Sequence, residues 1–148
     1  MIEQIEQAII ETGEILLHAE NITDFTHTKD GAANFVTEYD TQVQKILFSK
    51  LSAILPEASF MGEEESAHTY TDKGYLFIID PIDGTTNFIK QNHTSCISAG
   101  LLKDGKPYLG IVYNPYRNEL FSAVAGKGAY LNHKPIHVSK EPLENGLL

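Results

Sequence analysis

Hydrophobic spacing changes period once along this chain, close to Pro56, and that change limits the folds open to it. Before Pro56, apolar residues recur in three- and four-residue steps: Ile2, Ile5, Ile9, Leu16 and Leu17, then Val43, Ile46, Leu47, Leu51, Ile54 and Leu55. One face of an α-helix has that repeat, so helices are predicted over residues 2–20 and from Thr37 to Leu55. Thr37 and Asp40 have the spacing of a capping box with Asp in place of Glu, and Pro56 stops the second helix. Residues 21–35 mix Asn, Thr, Asp, Lys and Gly, which suits a loop or irregular hairpin.

After Pro56 the pattern shortens. Residues 75–79 form an apolar run that reads as a buried strand ending at Asp80-Pro81. Residues 95–102 and 107–113 flank Lys103-Asp104-Gly105-Lys106, a hairpin signal because Asp-Gly accepts the positive φ of a tight turn. Residues 120–124, 129–131 and 136–138 add short strands, with Gly126, Gly128 and Asn132-His133 at the turns between them. Two helices followed by mostly antiparallel strands is an α+β order, and no linker divides residues 1–148.

The chain has 148 residues, of which 42% are apolar, enough for one ordinary core. Its formal net charge of −9 is the wrong sign for gripping a nucleic-acid backbone. No apolar run approaches the roughly 18 residues that span a bilayer, and the first residues lack the basic segment of a secretory signal. A single cysteine, Cys96, cannot form an internal disulfide. The expectation is a soluble, cytoplasmic protein with no nucleic-acid or membrane partner.

The chemistry is concentrated in Asp80-Pro81-Ile82-Asp83-Gly84-Thr85-Thr86-Asn87-Phe88, at the end of the predicted strand, and in Gly62-Glu63-Glu64-Glu65 upstream. Singly these features are ordinary: Asp83-Gly84 as a turn, the glutamates as a solvated run, Asp40 as a helix cap, Lys29 as a surface lysine, Cys96 as a buried strand residue. The six histidines have no ligand spacing. Together they say more. Two carboxylates about 4 Å apart repel by about 4 kcal/mol at an effective dielectric of 20, so converging acids need protons or cations. Hard oxygen donors without imidazole or thiolate favour Mg²⁺. Two such ions can bridge a phosphate and acidify an attacking water. Gly84-Thr85-Thr86 reads as a helix start with free N–H groups for an anion. Carboxylates for metal beside N–H groups for phosphate predict phosphoryl hydrolysis.

These residues resemble the inositol monophosphatase family. The matching positions are Lys29, Val36-Thr37-Glu38-Tyr39-Asp40, Gly62-Glu63-Glu64 and Ile79 through Phe88, with weaker agreement at Gly110 to Pro115 and Gly126 to Ala129. The resemblance implies a layered αβαβα sandwich of which this chain is the first half. It implies Glu63, Asp80 and the Ile82 carbonyl as ligands of one Mg²⁺, and Asp80 and Asp83 as ligands of a second. Thr85 with Glu63 would activate water, and Asp40 would engage Thr85. Glu64 would support the metal site, and Lys29 would lie in a loop near the metals. Glu63, Ile82, Asp83, Gly84 and Thr85 would face the substrate, a small phosphorylated polyol or sugar such as inositol monophosphate. A homodimer is a family habit.

Fructose bisphosphate and adenosine bisphosphate phosphatases share the two-metal scheme, although Thr86-Asn87-Phe88 is closer to the inositol branch. A non-catalytic binding module on the same scaffold is the alternative from another class. Family members continue into an α/β half with a Trp-Asp motif, whereas this chain has no tryptophan. The expectation is an incomplete N-terminal portion, weakly active or inactive, with a weakened second metal site.

Overall fold

The computed structural model describes residues 1–28, 35–63, 73–142 and 144. Helix α1 spans Ile2–Leu17 and buries Ile5, Ala8, Ile9 and Leu16. Helix α2 spans Glu38–Ile54 and buries Val43, Leu47 and Leu51, with Leu55 just beyond it. The apolar stripes therefore lie where the spacing predicted. The capping box also forms: the Thr37 backbone N–H donates to Asp40 Oδ2 at 2.7 Å and the Thr37 hydroxyl to the same oxygen at 2.6 Å.

Helix α1 stops three residues short of the predicted end. Tyr39 of α2 takes the backbone there: the Glu20 N–H donates to Tyr39 Oη at 3.1 Å, and the Tyr39 hydroxyl donates to the Glu20 carbonyl at 2.9 Å. A tertiary partner thus replaces the next helical turn. A short 3₁₀ turn over Ile22–Phe25 follows. Strand β1 (Thr26–Thr28) then pairs antiparallel with β2 (Phe35–Thr37), an irregular hairpin as expected.

The main sheet has seven strands in sequence order: β3 (Ser59–Gly62), β4 (Tyr75–Asp83), β5 (Cys96–Lys103), β6 (Lys106–Asn114), β7 (Glu119–Val124), β8 (Gly128–Leu131) and β9 (Lys134–Ile136). All neighbours are antiparallel except β3 and β4. Two tight turns have positive φ at both central residues, 50° and 72° at Asp104-Gly105, and 48° and 63° at Asn132-His133. That is the type I′ requirement.

Three expectations for the strands change. Strand β3 was not foreseen, because four residues carry too little periodicity to stand out. Strand β4 does not end at Asp80 but continues to Asp83. The last strand lies at Lys134–Ile136 rather than 136–138, since the turn at Asn132-His133 fixes its register.

Helices α1 and α2 cover one sheet face. Phe77 and Ile79, Ile97, Ala99 and Leu101, Leu109, Ile111 and Tyr113, and Leu120 form that face and share one core with the helices. Gly13 of α1 allows the closest approach: a Cβ there would lie 2.6 Å from Tyr113 Cε1. The opposite face is small and apolar along the register Ile78, Gly100, Gly110, Ala123, Ala129 and Ile136. Ile78 on it is 42% exposed. Among the described residues no helix is long and apolar enough to cross a membrane.

Candidate active site

The parallel step from β3 to β4 builds the site. Gly62 pairs with Ile79, and the Glu63 N–H donates to the Ile79 carbonyl at 3.2 Å, so Glu63 arrives beside Asp80. On β4 the ladder to β5 slips between Asp80, opposite Ser98, and Asp83, opposite Cys96. Three steps on β4 therefore match two on β5. A regular strand would send residues three apart to opposite faces. The extra residue turns Asp83 back toward Asp80, and Pro81, which has no N–H, is tolerated at such an irregularity. Ile82 anchors the segment in the core at 1% exposure.

The electrostatics follow from that crowding. Asp80 is pushed up to about 7, chiefly by burial, then by the charges of Glu63 and Asp83 and a hydrogen bond shared with Glu63; the Ile82 N–H opposes the shift. A carboxyl–carboxyl hydrogen bond requires a proton on one partner. Asp80 Oδ1 is buried and has no hydrogen-bond partner among the described residues. Among the described residues no three His, Cys, Asp or Glu side chains already converge as a cation cage. The charges of Glu63 and Asp83 raise the Asp80 carboxyl, so the cluster has no reason to close up until positive charge arrives, and the two observations agree.

Cys96 lies at the edge of this cluster, half-buried rather than buried, with its Sγ 3.9 Å from Asp83 Oδ2. Burial, then Asp83 and Asp80, raise its thiol to about 11. In the metal-free protein it therefore stays a protonated thiol at neutral pH.

Thr85 opens the one-turn helix α3 (Thr85–Ile89), behind Gly84 at φ 84°. Its hydroxyl lies 3.0 Å from the Ile82 carbonyl and 3.3 Å from Asp40 Oδ1. Both are acceptors, and the hydroxyl has one proton to give. Thr85 Oγ1 is thus fixed as a donor inward and keeps acceptor capacity for a third group. Asp40 is 1% exposed; burial raises its pKa, while hydrogen bonds from Thr37 and Thr85 oppose the rise. One carboxylate therefore caps α2 with Oδ2 and holds Thr85 with Oδ1, two readings that the sequence left as alternatives. In the first turn of α3 the N–H groups have no partner within the helix.

Of the predicted site residues, Glu63, Asp80, Ile82, Asp83, Gly84, Thr85 and Asp40 are gathered by β3, β4, α2 and the start of α3. Lys29, Gly31, Glu64 and Glu65 lie outside the described residues. Sequence reasoning missed Gln44, which is 3% exposed. Its signal was present: positions 40, 44, 47 and 51 continue one buried stripe, and the first two are polar.

Comparison with known proteins agrees with this geometry. The model of the inositol monophosphatase family matches residues 1–148. Inositol monophosphatase 2 of Saccharomyces cerevisiae is 42% identical over 151 residues, covering 97% of this chain and 52% of its own. Among solved structures, the Thermotoga maritima IMPase superposes with a TM-score of 0.86 at 31% identity, over 94% of this chain and 54% of that one. SaIMPase-II with inositol monophosphate bound gives 0.76 at 30% identity, over 95% of this chain and 50% of that one. The chain spans about half the length of the relatives it matches. With the family match running from the first residue to the last, and the carboxylates, Thr85 and Asp40 assembled on a matching fold, the chain belongs to the inositol monophosphatase family.

Proposed function

We propose that this chain supplies the metal and water-activating part of a Mg²⁺-dependent phosphomonoesterase acting on inositol monophosphate or a similar small polyol or sugar phosphate. The observation that carries the reading is the pairing of a cation-hungry acid cluster with a Thr85 hydroxyl locked between Asp40 and Ile82. Asp80 Oδ1, unpartnered among the described residues, and the all-oxygen donor set suit a hard cation. Glu63, Asp80, the Ile82 carbonyl and Asp83 would hold Mg²⁺. When bound, the ion supplies charge for the phosphate oxygens and lowers the pKa of water. The Asp80 carboxyl, protonated in the metal-free site, would give its proton up to solvent in order to serve as a ligand. Thr85 Oγ1 then orients the attacking water, with Glu63 as the neighbouring base, and Asp40 keeps the hydroxyl in place. Gly84 and Thr85 offer backbone N–H groups to the phosphate. The bound ligand of SaIMPase-II and the name of the yeast relative support inositol monophosphate as the first substrate to try.

The test is phosphate release from inositol 1-phosphate with Mg²⁺ and with EDTA, beside an Asp80→Asn control and calorimetric Mg²⁺ titration. Release that needs Mg²⁺ and disappears in the control is expected. Release indifferent to both, or no Mg²⁺ binding at all, refutes the reading. Mg²⁺ binding without release from any small phosphate ester would move it to a non-catalytic module.

A further inference from the structure

We infer that Gln44 is a positioning residue of this site, fixing the strand end that carries Glu63 relative to Thr85. The inference rests on the proposed function, since it concerns the same acid cluster.

Three observations carry it. Gln44 is 3% exposed on the core-facing stripe of α2, where Val43, Leu47 and Leu51 are apolar. Burying an amide where an alkyl group would fit costs free energy unless it has polar work to do. Its carboxamide also occupies the space beside Gly62 that a side chain would fill. A Cβ built on Gly62 would lie well inside contact with the whole group, 2.8 Å from Nε2. Gly62 is the residue immediately before Glu63. Finally, Gln44 follows Asp40 by one helical turn, about 6 Å of rise. A single rigid helix thus touches Thr85 through Asp40 and the Glu63 strand through Gln44. The helix is a spacer between the hydroxyl and the acid that must act on one water.

The amide suits this place chemically. It is neutral, so it adds no negative charge to Glu63, Asp80 and Asp83, as a glutamate would. It also carries two N–H donors and a carbonyl acceptor, which an alkyl chain lacks.

The test compares the parent chain with Gln44→Met, which keeps length and volume but removes the polar head. Gly62→Ala displaces the carboxamide from the other side. Mg²⁺ affinity is read by calorimetry and the melting temperature in EDTA. The expected result for Gln44→Met is an unchanged or higher melting temperature with Mg²⁺ affinity weakened about tenfold, the scale at which residues that orient metal ligands act. Gly62→Ala should weaken affinity similarly, and the double variant should lose little more than either single one. If Gln44→Met fails to fold, Gly62→Ala alone decides, through loss or retention of affinity in a folded chain. Parent-like affinity in the folded variants overturns the role of Gln44 and leaves the proposed function intact. A parent chain that binds no Mg²⁺ overturns both.

Discussion

Replacing Asp80 with Asn should make the metal-free protein more stable at neutral pH, although it removes a residue central to the site. A shift from 3.8 to about 7 means that the folded state holds a proton which the unfolded chain gives up. Where the native state binds more protons, stability falls as pH rises, here between about pH 4 and pH 7. At about 1.4 kcal/mol per tenfold, the full shift corresponds to about 4 kcal/mol. Asp80 is only partly buried, and solvent screening reduces this to about 2 kcal/mol. Asn cannot ionise and escapes the penalty. Urea unfolding in EDTA should therefore show Asp80→Asn ahead of the parent by about 2 kcal/mol at pH 8, and by well under 1 kcal/mol near pH 4.5. Adding Mg²⁺ should reverse the order, because ligand binding stabilises only the form that binds. An Asn variant less stable than the parent in EDTA at pH 8 would refute the reasoning. So would a difference that does not change with pH, since the cost would then not come from ionising Asp80.

Other outcomes follow from individual contacts. Thr85→Val should cut turnover at least about 100-fold while Thr85→Ser restores most of it, because the hydroxyl held by Asp40 and Ile82 is what matters; equal rates in steady-state assays would count against it. Thr37→Ala removes the hydroxyl half of the capping box and should cost about 1 kcal/mol in denaturant titration; no change would mean that the Asp40–Thr37 N–H bond suffices. Gly13→Ala gains helix propensity but drives a methyl into Tyr113, so a net loss of about 1–2 kcal/mol is expected, and a stabilised variant would show that the ring moves aside. The uncovered apolar sheet face should bind a hydrophobic dye in the native state of this chain, and an Ile78→Lys or Phe121→Lys change should reduce that signal; dye binding unaffected by either would place the apolar surface elsewhere.

Much of the fold was legible locally. The stripes on α1 and α2 are wide and regular, and Asp104-Gly105 announces its hairpin through turn chemistry alone. Strand β3 was not legible, because four residues make sense only once β4 is beside them. The end of α1 was misjudged for a similar reason: Glu20 is bonded to Tyr39, 19 residues away, and no local pattern records that. The site shows the same division. Asp80, Asp83 and Thr85 could be picked out from one motif. Gln44 left only a weak trace, a polar residue on an apolar stripe, and its place beside Gly62 appears only in the folded chain.

The sequence by itself determined most of the elements, both long helices and the hairpin strands, and which side chains can bear chemistry, because periodicity, capping and residue type act over a few neighbours. Only the tertiary structure decided that Glu63 meets Asp80, that a ladder slip turns Asp83 to the same side, and that Asp40 serves both its helix and Thr85. Those outcomes depend on strand register and helix docking between residues 13 to 45 positions apart. Such distances are set by burial of the shared core rather than by any local preference.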